Sequence, residues 1–188
     1  MANFDLCFEK TMALDGGYKL HETPGDRGGM TYARISRNVW PDWTGWQLVD
    51  AGEIDSDRIK AMVRAFYKTH FWNPIQGDII GFQNVAFVIY DFAVNAEVSA
   101  AVKVAQSIVG VKPDGILGPK TIKKMAAYVT NEREERQFAV EFSLARIYLY
   151  KGICLKHRSD LEFLCGWINR VQKTTPATHN GRTQAGYL

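Results

Sequence analysis

The stretch Phe82-Gln83-Asn84-Val85-Ala86-Phe87-Val88-Ile89-Tyr90-Asp91-Phe92-Ala93-Val94-Asn95 decides the fold. From Val85 to Val94 it is apolar almost all round a helix, the pattern of a helix buried on every side at the centre of its domain. Its run of neighbouring apolar residues is far too short to span a bilayer, so the partner for this surface is other protein. The rest of the chain has to supply helices that cover it.

Reading outward from this segment finds them. Phe4, Cys7, Phe8, Thr11, Met12 and Leu14 recur at steps of three and four, one face of an amphipathic helix, and Gly16-Gly17 ends it. Asp55 or Ser56 caps a helix that buries Ile59, Met62, Val63, Phe66 and Tyr67 and stops at Trp72-Asn73-Pro74. On the other side a helix is expected over roughly 97–109. The turn-rich Val111–Pro119 connection follows, with Asp114 and Gly115 making the turn and Ile116 and Leu117 plugging the core. A further helix begins at Gly118 or Lys120. Residues 131–151 predict a long helix with Phe138, Phe142, Ala145, Ile147 and Leu149 inward, and 159–172 a last one capped by Ser159. Residues 15–52 differ: rich in Gly, Pro, Asp and Trp, with a short strand expected over Met30–Ile35. The sum is a mainly α fold of about seven helices with a small loop or hairpin lobe near the N-terminus. The polar stretch from Thr174 to Leu188 lacks periodicity and reads as a disordered tail.

Composition narrows the function. A net charge of +3, with both signs interleaved, offers no basic stripe for nucleic acid. Cys7, Cys154 and Cys165 are odd in number and show no zinc spacing. They read as buried reduced thiols, with a Cys154–Cys165 bridge open if two helices pack. His21, His70, His157 and His179 show no ligand spacing, so neither metal nor cofactor is expected. The N-terminus has no basic segment followed by an apolar one, so no secretory signal is expected.

Chemistry concentrates in the loop-rich segment. Asp15 closes the first helix, and Asp26 and Thr31 lie beyond it across turns. Hydrolysis of a glycosidic bond needs an acid for the leaving oxygen and a second carboxylate, or a positioned water, for the sugar carbon. Taken singly, each of the three is an ordinary turn or strand residue. Trp40, Trp43 and Trp46 offer either sugar-stacking rings or core packing, and Asp91 and Asn95, four apart on one helical face, either line a cleft or join a buried polar network.

The order of motifs resembles the glycoside hydrolase 108 family of N-acetylmuramidases. The matching residues are Asp15-Gly16-Gly17-Tyr18, Asp26-Arg27-Gly28-Gly29-Met30-Thr31-Tyr32, Ile35-Ser36, Pro41-Asp42-Trp43, Phe66-Tyr67, Phe71-Trp72 and Asp91–Asn95. Further on, Gln106, Asp114–Thr121 and Gly166-Trp167-Ile168-Asn169-Arg170 resemble the predicted peptidoglycan-binding domain that accompanies the family. The resemblance implies a lysozyme-like fold that cleaves the β-1,4 bond after N-acetylmuramic acid. Residues 1–95 would be the muramidase-like region, and 96–173 a helical peptidoglycan-binding region packed with it as one unit. It also implies Asp15, Asp26 and Thr31 as catalytic residues, and Tyr18, Tyr32, Trp43, Asp91 and Asn95 as substrate contacts. Peptidoglycan is the implied partner, with a holin or a secretion system as the route out of the cytoplasm to the periplasm and wall, and no stable membrane insertion. A wall-binding secretion activator that keeps the fold with little catalysis is the other implied role. Two positions depart from the family: Asp15 stands where Glu is expected, and Arg34 where Gly is usual. A cation near Asp15 favours the ionised acid, the wrong state for a proton donor.

Overall fold

The computed structural model describes residues 1–21 and 29–176. Among them are eight α-helices: α1 (Phe4–Leu14), α2 (Trp46–Asp50), α3 (Asp57–Tyr67), α4 (Gln83–Asn95), α5 (Val98–Ile108), α6 (Pro119–Tyr128), α7 (Glu132–Lys156) and α8 (Leu161–Thr174). Three two-residue strands, β1 (Leu20–His21), β2 (Thr31–Tyr32) and β3 (Ile35–Ser36), form an antiparallel sheet in sequence order. No described helix is long and apolar enough to cross a membrane.

α4 sits at the centre, as its sequence demands. Every residue from Val85 to Ala93 is buried, and α1, α5, α7 and α8 pack around it. The first turn of a helix leaves backbone N–H groups without intrahelical partners. Phe82, at the N-cap, has no side chain to accept from them. The carboxylate of Glu135 on α7 does so instead, accepting from Asn84 N at 2.7 Å. Residues from both halves of the chain thus build one core.

Local sequence sets the other ends. Asn3 caps α1, accepting from Asp5 N and Leu6 N. At its far end Gly17 N donates to Met12 O and Gly16 N to Ala13 O, both glycines having positive φ. This double closure fixes the C-cap residue, Asp15. Ser56 caps α3 and Pro119 opens α6. Asn131 caps α7, whose first turn carries Glu132, Glu134 and Glu135. The buried side chain of Gln106 on α5 pins the 111–118 connection, donating to Asp114 Oδ1 (2.7 Å) and Ile116 O (3.0 Å) while accepting from Gly115 N (2.9 Å).

Several expectations are corrected. The expected strand over Met30–Ile35 is two strands joined by a two-residue turn at Ala33-Arg34. Of the two expected plugs in the 111–119 connection, only Leu117 is buried; Ile116 is 72 % exposed. On α7 the buried stripe runs Phe138, Phe142, Arg146, Tyr150, Cys154 at steps of four, which leaves Leu149 on the solvent side. Ser159 lies in a short 3-10 turn before α8, and Asp160 occupies the cap position without a side-chain bond. Thr174 is no tail residue but the buried end of α8, and Thr175 Oγ1 donates to Val171 O. Residues 177–188 of the expected tail lie outside the described residues. The three cysteines are free, with Cys7 and Cys154 buried and Cys165 exposed.

Candidate active site

Asp15 is placed by the closure of α1 beneath the β2–β3 hairpin. That hairpin turns through Ala33 (φ 47°) and Arg34 (φ 64°), the paired positive angles of a type I′ turn. Neither is a glycine, so the turn is held from outside. Ala33 N donates to Lys19 O (3.0 Å), and the Tyr67 hydroxyl of α3 donates to Ala33 O (2.8 Å). Burial, and then the charge of Asp15, push the Tyr67 phenol well above its ordinary range, so it stays a neutral donor.

The hairpin, the end of α1, α3 and the end of α4 enclose a cleft of about 340 Å³, within the usual range for ligand pockets. Asp15, Thr31 and Asn95 all line it, with Arg34, Trp40 and Phe71. Thr31 Oγ1 donates to Gly29 O at 3.3 Å, and Asn95 Nδ2 donates to Asp91 O at 2.7 Å. The cleft continues into a trough of about 540 Å³ along α8, which shares Arg34 and Asn95 with it.

Beneath the cleft lies a network of buried charge. Arg170 on α8 reaches back across the sequence and forks between two carboxylates. Its NH1 is 2.5 Å from Asp15 Oδ1, and its NH2 is 2.7 Å from Asp91 Oδ1. Asp91 also accepts from Arg146 NH1 (2.9 Å) and Thr11 Oγ1 (3.3 Å), and Arg146 Nε donates to the Tyr150 hydroxyl (2.7 Å). Burial works against the Arg170 charge, yet its hydrogen bonds and ion pairs with Asp91 and Asp15 outweigh that, and its pKa is raised. Arg34, whose side chain is 64 % exposed, adds a second cation 3.7 Å from Asp15. Two carboxylates thus face three guanidiniums.

The expected site residues fall into three groups. Asp15, Thr31 and Asn95 come together in the cleft. Asp26 lies outside the described residues. Tyr18, Tyr32, Trp43 and Asp91 do not line the cleft. Tyr18 is half-buried with Lys60 5.9 Å from its ring. Tyr32 is fully buried and donates its hydroxyl to Ile54 O, its phenol pushed up to about 12 chiefly by burial. Trp43 packs between Tyr32, Trp46 and Phe66. Asp91, 0 % exposed, belongs to the charge network. Of the three tryptophans it is Trp40, edge-on to Phe66, that lines the cleft. Arg170 and Arg146 are additional. Arg146 carried a signal in the four-residue spacing of Phe138, Phe142, Arg146 and Tyr150, which puts a guanidinium on an apolar face.

The hairpin carries a testable strain. A left-handed non-glycine residue costs about 1–2 kcal/mol, while the 3.7 Å contact with Asp15, held by an Arg34 side chain that is mostly exposed, returns less than that. Arg34→Gly is therefore expected to raise the melting midpoint by about 1–4 °C in a chain of this length. A midpoint lowered in a thermal scan would show that Arg34 holds the hairpin rather than straining it.

The comparisons with known proteins agree with this architecture. The model of the family described as Glycosyl hydrolase 108 matches residues 8–96, and that described as Predicted Peptidoglycan domain matches residues 100–172. Among solved structures the chain is similar to SagA of Brucella abortus, with a TM-score of 0.70 and 26 % identity, over 92 % of this chain and 91 % of that one. A search of curated proteins gave no match.

Proposed function

Because the chain belongs to the glycosyl hydrolase 108 family over residues 8–96 and carries the predicted peptidoglycan domain over residues 100–172, we propose that its lysozyme-like fold hydrolyses the β-1,4 glycosidic bond of peptidoglycan at the cleft above Asp15. The single observation that carries this reading is the convergence of Asp15, Thr31 and Asn95 on one cavity at the junction of hairpin and helical body. Asp15 would stand at the acid position beside the leaving oxygen. Thr31, on the facing strand, would hold the attacking water through its hydroxyl oxygen. Asn95 would offer its amide to an N-acetyl group. Arg170 and Asp91 are positioning residues in this scheme: they fix where the Asp15 carboxyl sits.

The experiment is release of reducing ends from purified peptidoglycan. Wild type is expected to release them slowly, and Asp15→Asn at least 100-fold more slowly still, the range expected for loss of a general acid. Equal rates would remove Asp15 from the chemistry. A silent wild type beside an active Asp15→Glu variant would mean that the natural chain is no enzyme.

One observation favours a second role. Arg170 donates toward both Asp15 oxygens, at 2.5 and 3.5 Å, with Arg34 close by. A carboxyl whose oxygens are both taken up by guanidinium donors is not free to meet a leaving oxygen. On this reading the protein is a peptidoglycan-binding secretion activator that acts at the wall, delivered through a holin or a secretion system. Sedimentation with insoluble peptidoglycan and no new reducing ends would be its signature.

A further inference from the structure

The trough along α8 has no role in the chemistry above, yet it opens into the same cleft. Leu14, Arg34 and Asn95 form one wall; Phe163, Asn169 and Arg170 on α8 form the other. Helical spacing explains the second wall. Residues 162, 166, 169 and 173 fall on one face, with 163, 167 and 170 beside them.

That face is built like a carbohydrate seat. Phe163, 52 % exposed, stacks on Trp167 with ring centres 6.1 Å apart, and Trp167 lies 4.9 Å from the buried Tyr150, so the ring pair is rigidly backed. Between the rings and the cleft stands Gly166, in mid-helix. A glycine there weakens a helix and is usually kept where a neighbour leaves no room. Here a Cβ would meet nothing within 4 Å. No packing contact requires Gly166, and its effect is to leave bare backbone on the trough floor. Arg34 and Arg170 are already paired with Asp15 and Asp91, which leaves Lys173 and Glu162 as the other charges lining the trough.

We propose that a glycan strand of N-acetylated sugars runs from the Asp15 cleft along α8, its sugar faces on Phe163 and Trp167 and its backbone passing over Gly166. This rests on the hydrolase reading above. The region matched as a peptidoglycan domain would then complete the substrate cleft rather than anchor the protein elsewhere on the wall.

The test uses glycan strands stripped of peptides, with binding followed by intrinsic fluorescence in the non-cleaving Asp15→Asn chain. Adding Gly166→Gln is expected to weaken binding at least 10-fold while the melting midpoint stays level or rises, because glutamine favours a helix over glycine. Phe163→Ala, a second variant at an exposed position, is expected to weaken it about 5-fold with the midpoint unchanged. Undiminished binding in both would overturn the proposal and leave the hydrolase reading intact, provided that the chain with Asp15 still cleaves. A chain that neither binds nor cleaves would sink both.

Discussion

Asp91→Ala is expected to destabilise the protein by about 3–5 kcal/mol, the usual cost of leaving buried charges without their partner. In a chain of this length that lowers the melting midpoint by roughly 6–20 °C. Asp91 is fully buried at the centre of the molecule, and its two oxygens take hydrogen bonds from Arg146, Arg170 and Thr11. Arg146 has 2 % of its side chain exposed. One of its nitrogens, NH2, already lacks a hydrogen-bond partner, so removing the carboxylate would leave the buried charge with no counter-ion and only the neutral Tyr150 hydroxyl as partner to Nε. Geometry alone does not produce so large an effect. Arg37 and Asp50 meet at the same 2.7 Å but on the surface, and Asp50→Ala should leave the midpoint nearly unchanged. The double variant Asp91→Ala/Arg146→Met should recover part of the loss, since an apolar replacement of a buried pair is often tolerated. A drop no greater than that of Asp50→Ala would mean that the buried network is not a structural pair at all.

Asp15→Glu is expected to speed release of reducing ends from peptidoglycan by about 100-fold. Glutamate carries its carboxyl roughly 1.5 Å further from the backbone, and a misplacement of about 1 Å in a reacting group costs around 100-fold in rate. The loop cannot advance to make up the difference, because Gly16 and Gly17 close α1 on to Ala13 and Met12 and fix the Asp15 backbone. A longer side chain also lifts the carboxyl from between Arg170 and Arg34 toward the open cleft. Combining Asp15→Glu with Arg34→Gly, the residue pair the family leads one to expect, should be at least as fast. A rate unchanged within two-fold would show that the grip of Arg170, rather than reach, sets the activity.

Much of the helical frame is legible in the sequence because each helix carries its own period and stops. The 82–95 run gives α4 within one residue, and Phe4 to Leu14 with Gly16-Gly17 gives α1. The short α2 is missed, since five residues hold too little period beside three tryptophans. The turn at Ala33-Arg34 is missed for the opposite reason: hairpins of this type usually announce themselves with Gly or Asn, and here tertiary bonds from Lys19 and Tyr67 do that work. The site divides the same way. Asp15, Thr31 and Asn95 lie at element ends, where sequence places them near a cleft. Tyr32, Trp43 and Asp91 are polar or aromatic residues whose burial depends on distant partners, above all Arg146 and Arg170, and no local pattern joins positions 91, 146 and 170.

The fork of Arg170 between Asp15 and Asp91 also has a consequence in time. On a ribosome adding about 5–20 residues per second, Asp15 is made roughly 8–30 seconds before Arg170. From the addition of Asn95 until that of Arg170, the emerging chain has every element of its cleft except the helix that holds the acid in place. A chain interrupted before α8 leaves Asp91 with one of its two arginines and Asp15 with only the exposed Arg34. The Asp15 carboxylate is therefore gripped from below only once α8 has been made.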